Sequence, residues 1–178
     1  KLLSILFLLL SSIVSAQIPA ESVVAVKAPG QKFQFVHKQT GAPANQLLWD
    51  ETDAFVNGFA RVFLNNQFSF VNSTGNLIYP TVLEDARSFS NGLAAVKKDG
   101  KWSFLTETGK ILFPFAYDIV FDFEGTVSVA FENKKWWLIN NTGDAVMPLD
   151  ISVCYGFKNG VAKIIKDEKE GILYPNGR

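Results

Sequence analysis

The chain has one cysteine, one histidine and no excess of either charge, and each shortage excludes a class of protein. Cys154 alone cannot close an intramolecular disulfide, so stability must come from a packed core. It lies in the apolar stretch ISVCYGF, where a thiol behaves as a small buried hydrophobe and not as a nucleophile. His37 alone cannot supply a closed His/Cys zinc site, and a Ser-His-Asp or Cys-His arrangement would have to use it. Its surroundings, FVHKQTG, read as the approach to a turn and predict an exposed structural side chain. Lys plus Arg and Asp plus Glu number 17 each and are scattered. That leaves no basic field for nucleic acid and no patch for an anionic membrane surface. Beyond residue 16 there is no helical stripe of useful length, and no apolar run approaches the ~20 residues that span a bilayer.

What is present is a core-forming composition. Hydrophobic residues make up 48% of 178 positions, with 16 Phe and 4 Trp, which fits one folded domain. The opening, KLLSILFLLLSSIVSAQ, has Lys1, an apolar run over Leu2–Val14, and small residues up to Ala16. This is the order of a secretory signal peptide, with cleavage expected before Gln17. The reading predicts a mature chain 17–178 that is exported (periplasmic, cell-surface or extracellular) and has no membrane span.

A period dominates the rest. Gly41, Gly75, Gly109, Gly143 and Gly177 fall at one interval of 34 residues. Phe68, Trp102 and Trp136 sit seven before their glycine, and Pro80, Pro114 and Pro148 five after it. A second series, Gly58, Gly92, Gly125 and Gly160, follows FVN, FSN, FE and FKN. After it come alternating runs, FARVF, LAAVK and VAKII, that place Ala60, Ala94 and Ala162 on one strand face with Val62, Val96 and Ile164. Asp99-Gly100 predicts a type I′ hairpin turn into the return strand KWSFL, matched by QFSFV and KWWLI. NSTG, TETG and NNTG make the next turn. The runs NLIYP, KILFP and DAVMP predict a third strand covered on both faces and closed by its proline. A weaker strand is expected around Tyr117–Phe123. One unit of three or four strands is too small to bury its own faces, so copies must stack. The expected fold is all-β: about four and a half tandem antiparallel repeats in an open solenoid-like or propeller-like array. Because the chain starts and ends with the same hairpin, the open form is the expectation.

Gly92-x-Ala94-x-Val96, Gly100-Lys101-Trp102, Phe104-Leu105, Gly109, Leu112-x-Pro114 and Tyr117-Asp118 together resemble the WG repeat, also called the KWG repeat. No copy keeps the Trp-Gly pair itself: Trp102 precedes Ser103, Trp136 precedes Trp137, and Phe68 precedes Ser69. In the last copy Glu170 replaces the aromatic, and the first copy has one extra residue between Phe33 and Gly41. The resemblance implies tandem β-repeats and no assigned activity.

Candidate sites are few. Asp50, Glu84 and Asp118 recur at the 34-residue interval. Equivalent positions have similar surroundings, which suits turn caps better than an acid–base pair with separated pKa values. Asp118, Asp122 and Glu124 cluster oxygen ligands but lack a dense Asp/Asn-Gly calcium loop. Asn72 and Asn140 head N-x-Thr patterns within turns. Trp49, Trp137 and Tyr155 do not all fit inward positions, and exposed rings of this kind stack on sugars or anchor partner proteins. Trp137 takes the face used by Ser69 and Ser103. The expectation is a non-enzymatic protein without a cofactor, presenting a protein- or glycan-binding surface. The alternatives are an envelope-polysaccharide hydrolase using acidic turn residues, or a purely structural envelope component.

Overall fold

Tight turns punctuate this chain so densely that every strand finds its partner within a few residues. In the computed structural model, residues 22–178 are described; the expected signal peptide, 1–16, lies outside them. Among the described residues no helix is long and apolar enough to cross a membrane.

Five antiparallel sheets follow one another. The first pairs β1 (Val23–Lys27) with β2 (Phe33–His37). The second holds β3 (Glu51–Thr52), β4 (Phe59–Leu64) and β5 (Gln67–Asn72). The third holds β6 (Asp85–Ala86), β7 (Leu93–Lys98) and β8 (Lys101–Thr106). The fourth adds an edge strand, giving β9 (Ile119–Val120), β10 (Val127–Glu132), β11 (Lys135–Asn140) and β12 (Ala145–Leu149). The fifth holds β13 (Val153–Lys158), β14 (Val161–Lys166) and β15 (Lys169–Leu173). From the second sheet on, corresponding strands start 34 residues apart, at 51, 85, 119 and 153, at 59, 93, 127 and 161, and at 67, 101, 135 and 169.

The hairpin turn between the two long strands is left-handed at both corners, as a type I′ turn requires. Asp99 and Gly100 have φ of 51° and 75°. Asn65-Asn66, Asn133-Lys134 and Asp167-Glu168 adopt the same backbone without glycine, with φ between 48° and 62°. One continuous segment then leaves each sheet for the next. Leu83 exchanges backbone hydrogen bonds with Phe68, and the very next amide, Glu84, donates to Lys97 O of the following sheet. Tyr117 and Asp118 repeat this between Trp102 and Phe131, as do Trp49 and Asp50 between Phe33 and Phe63.

Strand alternation sends half of each hairpin toward the preceding sheet and half toward the following one. Ala94, Val96 and Leu105 pack back on Phe70 and Leu83, while Leu93, Ala95 and Phe104 pack forward with Val120, Ala130 and Ile139. Four apolar clusters arise in this way, each between consecutive sheets; among the described residues none joins the first sheet to the fifth. At roughly 25 cal/mol per Å² of apolar surface, these junctions are the main favourable contribution to folding.

The third-strand expectation is corrected. Only Ala145–Leu149 forms a full strand; NLIYP and KILFP reach their sheets through single bridges, Leu77 to Val71 and Ile111 to Leu105. Of the three runs only the last lies uncovered, β12 being an exposed edge with Pro148 inside it opposite Trp137; in the first two, Leu77 and Ile78 pack on clusters to either side, as do Ile111 and Leu112. An outermost strand has one ladder edge in solvent, which is where a residue without an N–H is tolerated.

Candidate binding surface

The acidic residues of the repeat close turns. Asp50 Oδ2 accepts the Asn65 amide at 3.0 Å and Oδ1 meets Lys32 Nζ at 2.8 Å. Lys32's hydrogen bond, helped by the Asn65 amide, holds the Asp50 carboxyl below the usual carboxylate range. Glu84 accepts the Gly100 amide at 3.0 Å, Asp118 pairs with Lys101, and Glu124 accepts the Gly160 amide. Asp122 pairs with Arg87 at 3.3 Å, so Asp118, Asp122 and Glu124 face three different partners. Among the described residues no group of three or more His, Cys, Asp or Glu side chains is placed to hold a metal. Asn72 Oδ1 takes the Thr74 amide at 3.1 Å and the Asn76 amide at 2.9 Å, an Asx turn that Asn140 repeats with Thr142 and Asp144. Cys154 is buried in the last cluster, and burial pushes its thiol pKa up. His37 lies half-buried in β2, not exposed as expected: it is a strand residue paired with Val23, and its amide donates to Ala42 O of the following turn.

The three aromatic candidates go to three different environments. Trp49 is 5% exposed and packs with Val23, Phe35, Ala60, Val62 and Val71, which removes it from any surface. The reason is its place at the sheet-changing position, which its counterparts Leu83 and Tyr117 also show to be enclosed between two sheets. Its indole Nε1 has no hydrogen-bond partner among the described residues. Trp137 is half-buried against the cluster between the third and fourth sheets. Ser69 and Ser103, its counterparts, donate to Tyr79 O at 3.0 Å and to Phe113 O. Trp137 has no hydroxyl to do this, and there the following segment pairs as a strand instead.

Tyr155 is the exposed one, at 55%. It stands beside a bulge between Cys154 and Phe157 in β13, on the fifth sheet's outer face. Lys163 Nζ lies 5.9 Å from its ring centroid, and Lys163 is paired across strands with Ile172. Ile172 is 56% exposed, and Tyr174 two residues on is 50% exposed. Lys163 also meets Glu170 at 2.6 Å, which raises the lysine pKa. The outcome is a row across three strands, Tyr155–Lys163–Ile172, with an apolar ring and an aliphatic side chain flanking one ion pair. Ile172 and Tyr174 could have been found by carrying the 34-residue register forward: Ile172 falls where Phe70, Phe104 and Leu138 lie, and among the described residues no sheet covers it.

Two arginines and two turn asparagines tie consecutive sheets together. Arg61 donates to Ala86 O of the next sheet at 2.6 Å and lies 5.2 Å from the Phe68 ring. Arg87 donates to Val120 O at 3.1 Å and lies 4.9 Å from the Trp102 ring. Asn57 and Asn91, of the second glycine series, reach Phe89 O and Phe123 O of the following sheet.

Sheets of one plan, repeated at 34 residues and packed on their sequence neighbours, define a tandem β-repeat protein. More narrowly, the chain carries the WG containing repeat: the model of that family matches residues 68–102 and 103–136. No curated protein matches the chain. Among solved structures it is similar to the crystal structure of BamB from Moraxella catarrhalis, at 12% identity over 85% of this chain and 55% of that one, with a TM-score of 0.42. It is similar also to KlHsv2 with loop 6CD replaced by a Gly-Ser linker, at 12% identity over 68% of this chain and 46% of that one, with a TM-score of 0.42. The chain thus spans about half the length of each.

Proposed function

We propose that the chain is an exported, non-enzymatic β-repeat protein whose fifth sheet presents a protein- or glycan-binding surface. The observation that carries this reading is the exposed row Tyr155–Lys163–Ile172 with Tyr174 beside it. Tyrosine offers a large, stiff contact area with a polar end, and an ordered aliphatic neighbour extends it at little entropic cost. Export rests on the order of Lys1, the apolar run Leu2–Val14 and Ala16-Gln17. A hydrolase has no observation in its favour, since Asp50, Glu84, Asp118 and Glu124 are taken up by turn amides and lysines.

The test is a glycan array and a panel of immobilised envelope proteins probed with the chain and with Tyr155→Ala/Ile172→Ser. Binding that the double substitution reduces at least tenfold supports the surface. A ligand bound equally well by both, or no ligand on either panel, overturns it. N-terminal sequencing of the secreted product is expected to begin at Gln17.

A further inference from the structure

Two places in the repeat hold a lysine and a bulky apolar side chain in every copy but one. The residue before the hairpin aromatic or its counterpart is Lys32, Lys101, Lys135 and Lys169, and in the second sheet it is Gln67. Lys32 meets the capping carboxylate Asp50 at 2.8 Å, and Lys101 meets Asp118. Glu84, at the same place between them, accepts the Gly100 amide at 3.0 Å, and among the described residues no cation pairs with it. The residue two before the sheet-changing position is Leu47, Phe115 and Leu149, and after the second sheet it is Thr81. Phe115 packs on the cluster that holds Leu83, and Leu149 on the cluster that holds Trp136. Thr81 has no such bulk.

A hollow opens at each vacated place. One, of about 170 Å³, is lined by Thr81 together with Trp49, Leu64, Phe68 and Leu77. The other, of about 290 Å³, is lined by Gln67 together with Glu84, Lys98 and Asp99. Both are bounded by Gln67 and Val82, so they form one site with an apolar half and a charged half. Joined, they reach the range of about 300–1,000 Å³ usual for small-ligand sites. Trp49, Leu64 and Leu77 also belong to the cluster between the first two sheets, so the core sets that wall before any ligand arrives.

The neighbouring repeats show what fits each half. An apolar cavity of about 150 Å³ accommodates a benzene ring, and one repeat later Phe115 puts such a ring at the place of Thr81. One repeat later Lys101 likewise puts an ammonium against Asp118, at the place of Glu84. In the charged half two carboxylates, Glu84 and Asp99, outnumber the one ammonium of Lys98, which favours a further cation. We propose that this site binds a small cationic aromatic molecule, a ring joined to an ammonium by a short aliphatic chain. The ring is held by burial between Trp49, Leu64 and Leu77, and the ammonium by a charge-assisted hydrogen bond to Glu84. The site lies on the second and third sheets and does not depend on the exposed row of the fifth.

The experiment follows the indole N–H resonances of the isotope-labelled secreted chain as phenethylammonium chloride is added. The Trp49 resonance, identified by its loss in Trp49→Phe, is expected to move saturably with a Kd of about 1 mM, the weak affinity that so few atoms allow. Benzyl alcohol carries the ring without the charge, and butylammonium the charge without a ring. Each is expected to bind at least tenfold more weakly. Thr81→Phe and Gln67→Lys restore what the neighbouring repeats have at those places, so each is expected to weaken binding at least tenfold while the Tm stays equal or rises. Thr81→Leu takes over if the phenylalanine variant does not fold. Glu84→Gln keeps an oxygen for the Gly100 amide but loses the charge, and is expected to bring phenethylammonium down to the affinity of benzyl alcohol. No saturable movement by about 10 mM, undiminished binding by Thr81→Phe or Gln67→Lys, or benzyl alcohol bound as tightly as phenethylammonium overturns the proposal. A capped Phe-Lys dipeptide bound at least tenfold more tightly than phenethylammonium overturns the small-molecule identity in favour of a partner segment.

Discussion

The third sheet and the fifth are built from the same positions, yet among the described residues one is packed on both faces and the other on one. Phe104 and Ile172 lie two repeats apart at one position; Phe104 touches Phe113 and Phe123, while Ile172 faces solvent. Arg87 of the third sheet bonds forward to Val120 O of the fourth, whereas Tyr155, at the same position of the fifth, is 55% exposed with Lys163 beside its ring. The difference teaches that in a stacked β-repeat a side chain's role is set by whether another sheet follows, because one hairpin is too thin to enclose anything alone.

Truncating that shared position gives the widest separation. Phe104→Ala is expected to destabilise by about 3–5 kcal/mol, a filled junction becoming a cavity, and Ile172→Ala by under about 0.5 kcal/mol. Urea midpoints measure both; equal losses would deny that the fifth sheet's outer face is bare. The turn glycines come next. Gly41→Ala meets only a left-handed backbone, φ 69°, costing about 1–2 kcal/mol. Gly109→Ala, at φ 79°, must in addition displace Ile78 O, bringing the total to about 3 kcal/mol. Calorimetry should show the larger fall in Tm for Gly109→Ala.

Arg87→Ala removes a carbonyl hydrogen bond and a guanidinium–indole contact with Trp102, and is expected to cost about 1 kcal/mol. Lys163→Ala is expected to leave the urea midpoint unchanged. The smallest effect is electrostatic. The Asp50 carboxyl has a depressed pKa when folded, so its contribution is present above the unfolded value of about 3.9 and fades as pH falls through the folded value. The stability gap between the chain and Asp50→Asn, seen at pH 7, should therefore narrow as the pH falls below about 3.9.

Much of the fold was legible because turn chemistry and alternation act locally. Asp99-Gly100 demands its backbone wherever it stands, and Ala94 with Val96 must share a face. Asn133-Lys134 and Asp167-Glu168 make the same turn without a glycine to announce it; the register of the flanking strands imposes it. Asp50 and Glu84 were legible as turn caps for the same local reason. The candidate aromatics were legible only in part. Trp49 and Tyr155 both read as large rings out of register, and their own strands do not distinguish them.

Sequence alone determined the 34-residue unit, its hairpins, its capping carboxylates and the need for units to stack, since all of these follow from backbone preferences and face alternation within a few residues. Tertiary structure alone decided that Trp49 is enclosed, that Trp137 is half-covered, and that Tyr155 and Ile172 face outward. Burial is a property of what lies opposite a face, and a neighbouring sheet supplies or withholds it from more than thirty residues away.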